Sequence, residues 1–391
     1  MLLVVSVPKI FQRDNSIFYE VEVIYKNEIR KKLWYRVYSN TFSTLSISSD
    51  AALVGLLLPA MHTGEDIFLQ GSVSERLFYN LSGPYQKLIQ QLIPNLTRIK
   101  IYADSFLSIE CKTNNIGTAF SGGVDSFSVL ANNYYKTSDN ASKISHLLFN
   151  NVGSHGVGEQ AEDIFFKRYQ ELKSIMETTK LPFIKINSNL QTFYNPEINF
   201  EQTHTLRNIS IALLFQGSFK RFIYASGIQY KDVFVDKSKN MDTIDLITLP
   251  MLSTENFELV SNGSEYSRIE KTLQVSSLHD SYSLLDVCTN PSHNQKVVNC
   301  SVCPKCMRTI FTLELHNVLD LYDRVFNIEL YKKNRKKYFV KLLLEAKTDP
   351  LAREIILFTK EKNFSFPFEV YMDKTFYKVK KILKKVKQRL I

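Results

Sequence analysis

No stretch of this 391-residue chain approaches the ~20 consecutive apolar residues a bilayer-spanning helix requires. The N-terminus, MLLVVSVPKI, has no basic leader and soon becomes alternating sequence, so no export signal is expected and cytoplasm is the expected location. Internal repeats and low-complexity blocks are absent, which excludes solenoids and fibrous proteins. Cysteine is scarce, five in all, too few for a disulfide-built scaffold. Acidic residues are missing from the last stretch, KTFYKVKKILKKVKQRLI (374–391), which holds seven Lys and one Arg. That segment carries +8 of the formal net charge of +10 and leaves +2 for the rest. A nearly neutral body is a poor surface for nucleic acid, so a partner for the excess charge belongs to the tail.

What is present reads as a soluble globular protein, 44% hydrophobic and 23% charged. Residues 1–112 are expected to form an α+β domain. Strands are predicted over 17–25 and 31–39 around a hairpin at Lys26–Asn27, helices over 50–62 and 74–93, and a strand over 98–104. This domain is a scaffold or a docking surface for a protein partner. From about residue 113 the pattern becomes β-α. Short apolar strands at 116–121, 144–150, 182–188 and 221–227 alternate with helices at 125–136, 159–179 and 203–220. Such repeats imply an α/β fold with a parallel sheet covered by helices, and ligands at the carboxyl ends of the strands. Those ends carry Ser121–Gly123, Asn150–Gly153, Asn187–Asn189 and Ser226–Gly227. Residues 311–391 are expected to be a helical, basic extension.

The first strand runs into AFSGGVDSFSVL (119–130). Two glycines here cost backbone entropy, and their bare peptide N–H groups at a helix start suit an oxyanion. Ser121 and Ser126 add hydroxyl donors. The G-x-x-x-x-G-K-[ST] loop and the G-x-G-x-x-G fingerprint are both absent. S-G-G-x-D-S instead resembles the PP-loop of the N-type ATP pyrophosphatases, the adenine nucleotide alpha hydrolase-like fold. The resemblance implies that Ser121, Gly122, Gly123, Val124, Asp125 and Ser126 bind the pyrophosphate of ATP, with Asp125 capping the helix or holding Mg²⁺. It also implies that Asn150, Asn151 and Gly227 meet the nucleotide. In such enzymes a substrate oxygen attacks the α-phosphate, giving an adenylate and pyrophosphate, and a nitrogen or sulfur nucleophile then displaces AMP.

Four cysteines, Cys288, Cys300, Cys303 and Cys306, have the spacing C-x11-C-x2-C-x2-C, while Cys111 stands alone. Four thiolates form a closed tetrahedral Zn²⁺ site, which is structural; an iron–sulfur cluster and free thiols are the alternatives. His293 and His316 lie nearby and are read as bystanders. A PP-loop followed by this cysteine cluster is similar to the 7-cyano-7-deazaguanine synthases, over roughly residues 116–310. In GSEYSRIEKTLQV (263–275), Arg268 and Lys271 lie where that family places a phosphate-binding lysine, which implies a catalytic role beside Asp125 and Ser126. Two departures limit the transfer: the family lacks the N-terminal and C-terminal extensions, and its acidic, proline-bearing segment is not evident in IQYKDVFVDKSKNMD (228–242). His204, Arg207, Gln229 and Tyr230 are expected near the pocket.

The resulting expectation is an ATP-dependent, adenylate-forming enzyme that activates a small-molecule or peptide carboxylate for amidation or nitrile formation, or for conjugation to an amine. Alternatives are an RNA-thiolating enzyme on the same fold and a non-catalytic nucleotide-binding assembly protein. In the tail, Phe376, Val379, Ile382, Leu383, Val386 and Leu390 fall on one helical face opposite the lysines, which suits an anionic membrane surface or RNA.

Overall fold

Alternating burial along residues 16–24 and 30–38 marks two half-buried strands, and both belong to a single large sheet. A computed structural model describes residues 2–38, 45–139, 142–288 and 297–389. The chain forms two compact units, one of Met1–Ser121 with Val129–Glu265 and one of Gly122–Ser128 with Tyr266–Ile391.

The first unit contains the sheet. Its strands are β1 (Leu2–Val5), β2 (Lys9–Arg13), β3 (Ser16–Ile24), β4 (Arg30–Tyr38), β5 (Asp66–Val73), β6 (Ile101–Phe106), β7 (Ile116–Ala119), β8 (His146–Asn150), β9 (Phe183–Ser188), β10 (Arg221–Ala225) and β11 (Glu258–Asn262). The order is β11-β10-β7-β8-β9-β4-β3-β1-β5-β6, with β2 added to β3. Most pairings are parallel, and the fold is mixed α/β as expected. β11, β10, β7, β8 and β9 form an all-parallel block. Within it the chain runs outward from β7 to β8 and β9 on one side, then returns to β10 and β11 on the other. The strand order therefore reverses at β7 and β10, where open α/β sheets bind ligands at the carboxyl ends.

The N-terminal strands were expected to form a domain of their own. Instead β4 pairs antiparallel with β9, from Tyr35↔Ser188 to Tyr38↔Lys185, and merges them into the same sheet. One hydrophobic core runs with it, from Leu3 and Val5 through Ile184 and Ile186 to Leu259. The helix Asp50–Thr63 is buried along nearly its whole length, as its apolar run over residues 51–61 requires. The Tyr35 hydroxyl donates to Ser210 Oγ at 3.1 Å, and a Cβ on Gly55 would lie 2.8 Å from that hydroxyl. Glycine at 55 is thus a condition of close packing.

The second unit is helical. Phe311, Phe339, Phe364 and Phe366 form an aromatic cluster, with the rings of Phe311 and Phe339 4.6 Å apart. This cluster ties the helices Pro304–Leu315, Ile328–Glu345 and the segment after Pro350–Glu361 to one another. The expected boundary at residue 311 consequently falls inside a packed helix. Ser267 begins the helix Arg268–Ser276 with a reciprocal capping box to Glu270. Among the described residues, no helix is long and apolar enough to cross a membrane.

Local departures have local causes. The helix expected over 74–93 is two helices, Glu75–Ser82 and Pro84–Leu92, because Gly83 is non-helical and Pro84 starts the second. The helix after the glycine turn, Val124–Leu130, continues as a π-turn over Ala131–Tyr135. β1, β2, β5 and β11 were not predicted.

Candidate functional site

β7 ends at Ala119 and the chain passes directly into the glycine turn. Gly122 has φ +75°, the left-handed region that a side chain resists, so this glycine is dictated by backbone geometry. The Ser126 hydroxyl donates to the Gly123 carbonyl at 3.0 Å, and the Phe127 N–H reaches the same oxygen at 3.0 Å. Ser126 is buried, Val124 is 4% exposed, and Ser121 is exposed at the end of the first unit.

Within the second unit three sequence-predicted residues meet. Asp125 Oδ2 accepts from Arg268 Nη1 at 2.9 Å, and Oδ1 accepts from Lys271 Nζ at 3.1 Å. The helix beginning at Ser267 places Arg268 and Lys271 three apart on one face. Lys271 is only 2% exposed, so its charge depends on Asp125. Burial would raise the Asp125 pKa, but the two cations override it and hold the carboxyl below its ordinary value. Asp125 lies in the first turn of the helix Val124–Leu130, and its carboxylate holds the two cations. A second tie joins the same helices, Ser128 Oγ to Gln274 Oε1 at 2.7 Å, and the Asp286 N–H donates to the Gly122 carbonyl at 2.8 Å.

In the first unit, Asn150 and Asn151 close β8. Their side-chain amides donate to Asn208 at 3.2 Å and Asn187 at 2.8 Å. Their carboxamide oxygens are buried and meet no hydrogen-bond partner among the described residues. Gly227 follows β10, and a Cβ there would lie 2.0 Å from Asp242 Oδ2. Asp242 lies against His204, whose Nε2 is 3.1 Å from its Oδ1 and whose Nδ1 is 2.9 Å from the Tyr224 hydroxyl. Asp245 accepts from Thr205 at 2.9 Å. Burial opposes charge on His204, yet the Asp242 hydrogen bond and the nearby carboxylates push its pKa up to about 9. Burial and then Asp242 push Asp245 up to about 8. Arg207 is a buried brace: its Nε donates to Thr203, its Nη1 donates to the Val152 carbonyl, and it lies 3.7 Å over the Tyr194 ring. Tyr230 is 61% exposed.

The four cysteines converge although they come from a loop and the helix Pro304–Leu315. Their sulfurs all lie within 4.8 Å of one another, and Cys300 Sγ is 3.8 Å from Cys306 Sγ. Tetrahedral zinc–thiolate bonds of ~2.3 Å imply sulfur separations of ~3.8 Å, whereas a disulfide needs ~2.05 Å. The N–H groups of Cys300, Cys303 and Cys306 point at Cys288, Cys300 and Cys303 sulfurs, as they do around anionic thiolates. The group could therefore bind a metal such as zinc. Cys111 is not a member. His293 lies outside the described residues.

The chain matches no protein-family model, no curated protein and no solved structure.

Three charged residues escaped the sequence reading. Asp242 ends the segment that showed no acidic, proline-bearing motif and Asp245 follows three residues later; their spacing was the available signal. Arg308, two residues beyond Cys306, carried none, because a single arginine on a helix is ordinarily solvated.

Proposed function

We propose that the chain is an ATP-dependent enzyme that activates a carboxylate as its adenylate on a PP-loop, then passes the acyl group to ammonia or an amine. The observation that carries this reading is the glycine turn itself. A left-handed Gly122 leaves the central strand of a parallel block whose order reverses there, with two cations held beside Asp125.

In this reading the backbone N–H groups around Gly122–Ser126 cradle the β- and γ-phosphates. Lys271 and Arg268 take up the charge that builds on the leaving diphosphate. Asp125 positions both cations. A carboxylate oxygen bonds to the α-phosphorus, the α–β phosphoanhydride bond breaks, and pyrophosphate leaves. An amine then bonds to the acyl carbon, AMP leaves with the C–O electron pair, and the amine proton passes to water. Mg²⁺ arriving with ATP would supply charge neutralisation on the phosphates. Catalysis is positioning and electrostatics, so no covalent enzyme nucleophile is required. The four cysteines would hold Zn²⁺ in a closed, structural site with no open position for water.

The test is product analysis with ATP and a panel of carboxylates. AMP and pyrophosphate in equal amounts are expected, lost in Ser126→Ala and Lys271→Met while bound metal is retained. ADP as sole product, or pyrophosphate release untouched by both substitutions, would overturn the reading.

A further inference from the structure

The second unit contains a cavity of about 490 Å³, inside the ~300–1,000 Å³ range of small-molecule sites. It is walled by the helices Pro304–Leu315, Ile328–Glu345 and Pro350–Glu361. Its lining combines two chemistries. Met307, Leu342, Leu351 and Ile355 are apolar, and Arg308, Lys337 and Lys341 bring positive charge. We propose that this cavity binds an organic anion, a carboxylate carried on an apolar acyl or aryl body.

Arg308 is the anchor. Its Nε is buried and meets no hydrogen-bond partner among the described residues. A buried guanidinium N–H without an acceptor is costly, and a carboxylate is the planar, two-oxygen acceptor that the guanidinium fork fits.

The other lining charges set the valence. Lys341 lies 3.8 Å from Glu345, and Asp349 caps its own helix by accepting from the Leu351 N–H at 2.9 Å. Three cations and two carboxylates leave one net positive charge among these lining residues, matched to a singly charged head rather than a phosphate dianion. Lys337 is exposed, so it sits where an entering anion would first be drawn. The apolar lining disfavours small inorganic ions as occupants, since they would leave it uncovered.

This inference stands apart from the ATP reading and is tested without nucleotide. The full metal-loaded chain is titrated calorimetrically with octanoate, decanoate and 1-naphthoate, and with octanamide as the uncharged control. Saturable binding of at least one carboxylate is expected, with octanamide weaker than octanoate by about tenfold or more. Arg308→Met should weaken carboxylate binding by about tenfold and leave octanamide unchanged. Lys337→Glu, an exposed change that does not threaten folding, should weaken carboxylates and raise their salt sensitivity. No saturable binding of any carboxylate overturns the proposal. So does equal affinity for octanoate and octanamide in the unmodified chain, a comparison that needs no variant to fold.

Discussion

Lys271 Nζ lies 3.1 Å from Asp125 Oδ1, and the lysine has almost no contact with solvent. An ammonium so deeply placed must be paired, and Asp125 commits its other oxygen to Arg268. The glycine turn and the helix from Arg268 are thereby joined by charge as well as by packing.

Replacing Asp125 with Asn should therefore destabilise the protein by about 3 kcal/mol, because the buried ammonium loses its counter-charge. Adding Lys271→Met should recover much of that loss, since an apolar side chain needs no partner. Urea denaturation of the two variants measures both steps. A double variant no more stable than Asp125→Asn would show that the pair is not coupled in this way.

Metal content gives a second check. Purified protein should carry about one zinc per chain, colourless, and Cys306→Ser should lose it. The cost should be at least about 3 kcal/mol, a fraction of the ~10–16 kcal/mol that structural zinc supplies in small peptides. Atomic absorption with an ultraviolet–visible spectrum distinguishes the outcomes. Brown protein containing iron and sulfide would replace zinc by a cluster.

The His204–Asp242–Asp245 group predicts the pH dependence of stability. Folding raises Asp245 from 3.8 to about 8 and His204 from 6.5 to about 9. Between each pair of values the folded chain holds a proton that the unfolded chain has lost, so stability falls as pH rises. The contribution is full below the unfolded values and gone above about pH 9. A loss of several kcal/mol between about pH 6 and 9 is expected. Asp245→Asn should flatten the part that falls between about pH 4 and 8, read from urea midpoints at stepped pH. An unchanged slope in that variant would remove Asp245 from the account.

The C-terminal helix Phe368–Arg389 exposes Phe376, Tyr377 and Val379 beside its lysines. The side chains of Ile382, Leu383, Val386 and Leu390, expected on the same face, lie outside the described residues. Sedimentation with anionic vesicles should retain the protein at low salt and release it by about tenfold at high salt. Equal retention on neutral vesicles would exclude an electrostatic role for the tail.

Much of this arrangement was legible in the chain. Period-two alternation marked β3 and β4, and short apolar runs marked β7 to β10, because half-buried and fully buried strands leave those patterns. Cysteine spacing foretold the four-sulfur group, since closely spaced ligands at a helix start reach one point. Arg268 and Lys271 were singled out only through the family resemblance of the segment 263–275. Other features were not local. β11 and β5 read as unremarkable sequence, and their strand state depends on pairing with β10 and β1.

By itself, then, the sequence determined the strand-turn-helix around Gly122, the sulfur cluster and the charge of the tail, all consequences of residue type at short spacing. Tertiary structure alone decided that β1–β6 share one sheet with β7–β11, that Asp125 is committed to Arg268 and Lys271, and that Arg308 faces a cavity. The physical reason is that backbone hydrogen bonds between distant strands, and the desolvation that forces buried charges to pair, are set by neighbours in space that no local pattern encodes.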